Sequence, residues 1–190
     1  MMRKKRRSVL FIGRFQPFHM GHDKLLRYLV KKYDRIVVGI GSSQFRRTPE
    51  NPFSAGERKS AIKRVMADYP AGSRNKITFA HLVDHTRNAD WVAQVVARFP
   101  PGEFAVASAN PLVRRLLGGA DYELDPSPLF NREKWEGTKI RQEVRRTGAA
   151  AGAPPSQPGR PGRGASIPRA LGQWMEKRGK KVLIGTKGKK

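Results

Sequence analysis

The chain has 190 residues, enough for one domain with a real hydrophobic core, and its 39 Lys and Arg against 15 Asp and Glu give a formal net charge of +24. Without cysteine there is no disulfide framework, no thiolate nucleophile and no cysteine-based zinc cluster, and no apolar run approaches the roughly 20 residues that span a membrane. The basic start Arg3-Lys4-Lys5-Arg6-Arg7 leads into an apolar stretch too short for a signal-peptide core, so a cytoplasmic protein is expected.

The apolar run Val9-Leu10-Phe11-Ile12 predicts a strand over 9–12, buried on both faces. It closes on Gly13, where the missing side chain lets a phosphate approach the backbone, and continues as Arg14-Phe15-Gln16-Pro17-Phe18-His19-Met20-Gly21-His22. A helix is predicted over 22–32, because Leu25, Leu26, Leu29 and Val30 share one side while Asp23, Lys24, Arg27, Lys31 and Lys32 take the other. His19 and His22 then stand at its first turn, where backbone N–H groups and the helix dipole favour a polyphosphate. Arg14 and two glycines converge on the same anion-sized space. The plainer reading of this corner is a pair of histidines that cap the helix or hold a surface anion.

A second strand is predicted over 35–40, ahead of Gly41-Ser42-Ser43-Gln44. Ser54-x-x-Glu57 is a capping box opening a helix over 55–69, whose Ile62, Val65, Met66 and Tyr69 repeat at helical spacing, so Glu57 reads as a structural cap. Arg58 beside it is either surface charge or a phosphate ligand. A strand over 76–80 precedes Asp84-His85-Thr86-Arg87-Asn88-Ala89-Asp90-Trp91-Val92 and a helix over 88–99. Val92, Val95, Val96 and Phe99 form that helix's core stripe, and Trp91 at its edge reads, taken alone, as core before ligand. A strand over 103–107, the segment Ser108-Ala109-Asn110-Pro111-Leu112-Val113, a helix over 111–117 and a short strand over 122–124 follow. Gly137-Thr138-Lys139-Ile140-Arg141 opens a helix over 138–146 and sets a hydroxyl and a guanidinium one turn apart, a phosphate grip or else an ordinary capped helix.

The alternation predicts an α/β fold, a Rossmann-like doubly wound parallel sheet in a single domain over 8–146, with ligands at the carboxyl ends of the strands. Residues 147–165 contain no large apolar side chain and are expected to form a mobile loop. Leu171, Trp174 and Met175 predict a helix within 166–178 that docks on the domain, and residues 1–7 and 179–190 are basic tails. The surplus charge reads as a solvated, repulsive surface in preference to association with nucleic acid or another polyanion, since no such binding motif is visible.

The segment Gly13 to His22 resembles the signature of the nucleotidyltransferase superfamily with the HxGH motif, and in its wording the archaeal-type nicotinamide-nucleotide adenylyltransferases. Ile40-Gly41-Ser42-Ser43-Gln44, Asn51-Pro52-Phe53-Ser54-Ala55-Gly56-Glu57-Arg58, the Asp84…Asn88…Trp91 element, Ser108-Ala109-Asn110-Pro111-Leu112-Val113, and Leu129-Phe130-Asn131-Arg132 with Gly137-Thr138-Lys139-Ile140-Arg141 are similar to further segments of that branch, in the same order. The resemblance implies transfer of the adenylyl group of ATP to nicotinamide mononucleotide (NMN), with Mg²⁺. It implies His19, His22 and Arg141 as catalytic residues, and Gly13, Arg14, Phe15, Thr138, Ile140 and Arg132 as contacts to ATP. It places Ser42, Arg58, Asp84, Asn88, Trp91 and Asn110 around NMN, with Trp91 stacked on the nicotinamide ring. A homo-oligomer, a hexamer among relatives, is also implied.

Three positions depart from the branch. Arg46-Arg47-Thr48 stands where many relatives carry Ser-His before the threonine, Glu136 replaces the usual serine and is able to help hold Mg²⁺, and Ser108-Ala109 replaces a Ser-Gly or Thr-Gly pair. The alternatives are a nucleotidyltransferase with another phosphorylated acceptor, such as pantetheine phosphate or flavin mononucleotide, and a basic polyanion-binding protein with a vestigial nucleotide fold. The Asp84 to Trp91 segment argues against the first. Intact His19, His22 and Arg141 argue against the second.

Overall fold

The computed structural model describes residues 7–127, 137–140 and 142. In chain order these form β1 (Ser8–Gly13), α1 (Met20–Lys32), β2 (Arg35–Ile40), α2 (Ala55–Met66), α3 (Ala71–Arg74), β3 (Ile77–His81), α4 (Asn88–Arg98), β4 (Phe104–Ala107) and α5 (Pro111–Gly118), with residues 137–140 and 142 also helical. Predictions for the loop over 147–165, the helix within 166–178 and the basic tails fall outside the described residues, apart from exposed Arg7.

The four strands pair in the order β3-β2-β1-β4, and every pair is parallel. The chain thus steps outward from β1 to β3 and then crosses back to β4 on the other side of β1. Since parallel crossovers are right-handed, this reversal carries α1 and α4 to opposite faces of the sheet, the Rossmann-like doubly wound arrangement. On one face Leu10, Ile12, Val37 and Val106 pack with Trp91 and Val95 of α4, with Phe99 just beyond its end and with Leu117 of α5. Alternation sends Val9, Phe11, Ile36, Val38 and Ile40 to the other face, and all of these are buried, as are Leu25, Leu26 and Leu29 of α1. A near-continuous apolar β1 is what a central parallel strand needs, because both its faces are covered.

The described residues fall into two compact units, one containing 7–14, 25–44 and 69–127, the other 15–24, 45–68, 137–140 and 142. The first holds the whole sheet. Within it, Asp125 accepts from Lys32 Nζ at 2.8 Å and Tyr33 Oη at 2.6 Å. Burial by itself would raise the Asp125 pKa, but hydrogen bonds from Lys32, Tyr33 and Ser127, with the Lys32 charge, outweigh it and hold the carboxyl below the usual carboxylate range. The second unit contains α2, where Ser54 Oγ accepts from the Glu57 N–H and the Glu57 side chain reaches back to the Ser54 N–H, the capping box read from the sequence.

Three predicted boundaries are corrected. The strand over 122–124 is a single bridge between Val106 and Leu124; Pro126, two residues on, has no N–H with which to extend a ladder. Helix α2 stops at Met66 instead of 69, since Tyr69 precedes Pro70 and the residue before a proline is pushed out of the helical region. The one-turn α3 behind Pro70 was not anticipated, because four residues carry no readable period.

Two glycines differ in what they tolerate. A Cβ on Gly39 in β2 would lie 3.0 Å from Leu82 Cδ1 and 3.3 Å from Leu10 Cδ1, whereas one on Gly56 in α2 would meet nothing within 4 Å. Gly39→Val is expected to lose ~1–3 kcal/mol by overpacking. Gly56→Ala is expected to gain ~0.5–1 kcal/mol by helix propensity. Denaturant midpoints of the two variants check both signs.

Candidate active site

The sequence places a phosphate-like site at the start of α1, and there the second unit brings His19 and His22 together. Their rings stack with centroids 3.6 Å apart and planes inclined by 21°. The His19 carbonyl accepts the first helical hydrogen bond, from the Asp23 N–H at 3.0 Å, and the His19 N–H donates to His22 Nδ1 at 3.3 Å. His22 therefore does for this helix what a glutamate does in a capping box, reaching back from the first turn to the N-cap amide. With Nδ1 accepting, the proton of neutral His22 belongs on Nε2.

Aromatic rings wall this pair. Phe15 meets His22 edge-on at 4.9 Å, Phe18 lies 5.4 Å from it, and both phenylalanines are buried. A charged imidazole loses its hydration in such surroundings. Burial accordingly lowers the His19 pKa from 6.5 to about 4, and burial with the neighbouring His19 pushes His22 well down. Both are neutral at pH 7. His19 Nδ1 is buried without a hydrogen-bond partner among the described residues, a polar atom that a ligand oxygen or a water would satisfy.

The first unit carries groups of its own at the carboxyl end of the sheet. At the switch point the chain leaves β1 and β4 in different directions, which opens a crevice at their carboxyl ends. Gly13 ends β1 there and exposed Arg14 follows it, and the Gly13 carbonyl accepts from the Gly41 N–H at 3.0 Å. Ser108 Oγ, behind β4, donates to the Ile12 carbonyl at 3.0 Å. Ser42 and Asp84, singled out separately in the sequence, meet: the Ser42 hydroxyl donates to Asp84 Oδ2 at 2.6 Å and the Ser42 N–H to Oδ1 at 3.2 Å. The Gln44 carboxamide closes on the Asp84 backbone with two further bonds of 2.9 and 3.1 Å. Asn110 is the N-cap of α5, its side chain accepting from the Leu112 N–H at 2.9 Å. Asn88 is exposed at the start of α4. Trp91, one turn further, is 9% exposed and belongs to the core between sheet and helix.

Other site residues have different surroundings from those the sequence suggested. Arg58 is 1% exposed, with Nε donating to the Ser54 carbonyl at 3.2 Å, which removes the surface-charge reading. Arg47 grips both carboxylate oxygens of Glu57 at 2.9 Å. Burial would raise the Glu57 pKa, but the bonds from Arg47 and Ser54 win and lower it. Glu57 is thus more than a cap. Gln16, which sequence reasoning passed over, is buried and bonded to the Phe53 backbone; its place inside the motif was the only signal. Thr138 and Lys139 are exposed and Ile140 is buried, while Arg132, Glu136 and Arg141 lie outside the described residues. Among the described residues no group of three His, Asp or Glu is placed to hold a metal ion.

The neutral histidines set a sign for pH. The folded His19 pKa, about 4, lies below its ordinary 6.5, so the unfolded chain binds more protons between these values. The stability this group contributes is complete above pH 6.5 and is lost as pH falls through 6.5 toward 4. Melting temperatures of the wild type and of His19→Gln, measured from pH 7 to 4, should diverge in that window, the wild type falling more steeply.

The cytidylyltransferase-like family model matches residues 10–143. A nicotinamide-nucleotide adenylyltransferase of Thermoplasma volcanium is 40% identical over 147 residues, 76% of this chain and 79% of its own; one from Ignicoccus hospitalis is 42% identical over 133 residues, 70% and 77% of the two chains. In fold, the chain is similar to the crystal structure of a bifunctional NMN adenylyltransferase/ADP ribose pyrophosphatase from Francisella tularensis, complexed with AMP and a Mn ion, at TM-score 0.68 and 17% identity. That alignment covers 95% of this chain and about half, 52%, of the other. Motif segments in the expected order, a Rossmann-like sheet and relatives this close along the domain lead to one conclusion: the chain belongs to the cytidylyltransferase-like family, among the nicotinamide-nucleotide adenylyltransferases.

Proposed function

We propose that this chain transfers the adenylyl group of ATP to NMN, forming NAD and pyrophosphate. The observation that carries the reading is the desolvated His19–His22 pair at the start of α1, within a chain of this family. An oxygen of the NMN phosphate attacks the α-phosphorus of ATP, the α–β bridging bond breaks, and pyrophosphate leaves. A phosphate monoester with its second pKa about 6 is largely dianionic at neutral pH, so the nucleophile needs no general base. Catalysis reduces to alignment and to stabilising the charge that builds on the leaving group.

Neutral imidazoles suit this task. They donate hydrogen bonds to phosphate oxygens without carrying a buried charge in the free protein, and an approaching polyanion raises their pKa toward protonation. Arg14 and Arg141 add permanent charge, while Gly13, Phe15, Thr138, Ile140 and Arg132 complete the ATP contacts. A bound Mg²⁺ would supply further neutralisation of the triphosphate. At the acceptor end, Ser42, Asp84 and Asn88 hold the nicotinamide riboside, Asn110 and Arg58 serve the NMN phosphate, and Trp91 presents to the nicotinamide ring the part of its face not committed to the core. The assembly is proposed as a homo-oligomer and its compartment as the cytoplasm; among the described residues no helix is long and apolar enough to cross a membrane.

Purified protein with ATP and Mg²⁺ should convert NMN to NAD. Turnover of pantetheine phosphate or flavin mononucleotide in its place overturns the acceptor, and salt-sensitive polyanion binding with no turnover overturns the enzyme. His22→Ala should lower kcat by on the order of 10²-fold with the fold intact, as expected when a donor to a developing charge is removed.

The two roles of Trp91 separate by substitution. Trp91→Ala should cost ~3–5 kcal/mol of stability, the usual loss on truncating a buried aromatic. Trp91→Phe should retain most of that stability and raise KM for NMN several-fold while leaving KM for ATP unchanged. An unchanged KM for NMN in Trp91→Phe would assign Trp91 to the core alone.

A further inference from the structure

We propose that Gln16, together with Arg47 and Glu57, forms a brace that holds His19 and His22 in their stacked arrangement, making Gln16 a positioning residue. Its effect on turnover rests on the adenylyl-transfer reading above. Gln16 lies three positions before His19 and is 3% exposed. Its carboxamide spends both ends on one backbone residue: Nε2 donates to the Phe53 carbonyl at 2.7 Å, and the Phe53 N–H donates to Oε1 at 3.1 Å. A loop lacking a partner strand receives here, from a side chain, the donor and acceptor that a neighbouring strand would have offered.

The far side of this contact is itself held. Arg47 donates from Nη1 and Nη2 to the two Glu57 oxygens, each at 2.9 Å, and from Nη1 to the Pro52 carbonyl at 3.1 Å. Glu57 Oε2 in turn accepts from the Ser54 N–H at 2.8 Å. Between them, the Thr48 N–H donates to the Asn51 carbonyl at 3.3 Å and the Asn51 N–H to Thr48 Oγ1 at 3.0 Å. The backbone of Pro52-Phe53-Ser54 is gripped by the arginine–glutamate latch and, at its central residue, by Gln16.

Backbone conformation supports the same assignment. Phe15 and Arg47 sit at φ 51° and 59°, left-handed values that cost energy in any residue with a Cβ and persist only where the surroundings enforce them. One precedes Gln16, and the other carries the latch. Phe15 is also the ring that meets His22 edge-on. Releasing Gln16 frees Phe15 to relax, and the wall that keeps the imidazoles dry opens.

Two variants test this. Gln16→Met keeps the length and buried volume of the side chain without its carboxamide, and Glu57→Gln keeps the capping box while removing the charged pairing with Arg47. For Gln16→Met, kcat should fall on the order of 10-fold or more, with KM for ATP and NMN changed less than about 3-fold. The His19 imidazole titration, followed by NMR, should move up from about 4 toward the ordinary 6.5. Glu57→Gln should shift both readouts in the same direction by less, and in the double variant the effects should be less than additive, as for one connected network. A fall in melting temperature in both variants, with kcat and the imidazole titration unchanged, overturns the brace and leaves a purely structural contact. Should Gln16→Met fail to fold, Glu57→Gln decides by the same two readouts. The titration reads the histidines without turnover, so absence of NAD synthesis in the wild type would refute the proposed reaction and still leave the brace measurable.

Discussion

The burial of β1 on both faces is the constraint from which the site follows. A strand without a polar side must lie inside a parallel sheet, flanked by β2 and β4. Once it lies there, right-handed crossovers force the chain to leave in one direction and return in the other, and the reversal opens a crevice at the carboxyl end of β1. Replacing this apolar run by an alternating one would turn β1 into a half-exposed strand, and the crevice would lose its floor along with the sheet.

Within that frame, solvent exclusion decides the chemistry of the histidines. In water, imidazoles with pKa near 6.5 would be partly charged at neutral pH and would repel each other when stacked. Behind Phe15 and Phe18 they are neutral, and His22 has its tautomer set by the His19 amide. In the reaction proposed above, such a pair discriminates between states of a phosphate chain. It binds no proton until negative charge arrives, so its electrostatic contribution grows with the charge on the reacting group, which is how binding energy is directed to a transition state.

The molecule uses its few acids where its charge would least suggest. In a chain of net charge +24, the side-chain carboxylates of Glu57, Asp84 and Asp125 each take two or more donors from other residues. Each ties segments far apart in sequence: Asp84 joins the loops behind β2 and β3, and Asp125 joins the segment behind β4 to the end of α1. Most of the basic surplus has no such partner to find, and repulsion among those side chains favours solubility over compactness.

Much of this was legible in the chain itself. Local period and motif order determined the four principal strands, the helices between them, the Ser54–Glu57 cap and the placing of two histidines at a helix start, because each depends on contacts within a few residues. Tertiary structure alone decided that the strand beyond β4 is one bridge, that Arg58 is buried, and that Trp91 packs in the core. It also decided that Arg47, where relatives have histidine, closes on Glu57, and that Gln16 is bonded to Phe53, 37 positions away. These outcomes depend on what stands opposite a side chain once the chain has folded. No window of sequence contains that neighbour, so spacing placed two histidines at a helix start and only the fold established how dry their surroundings are.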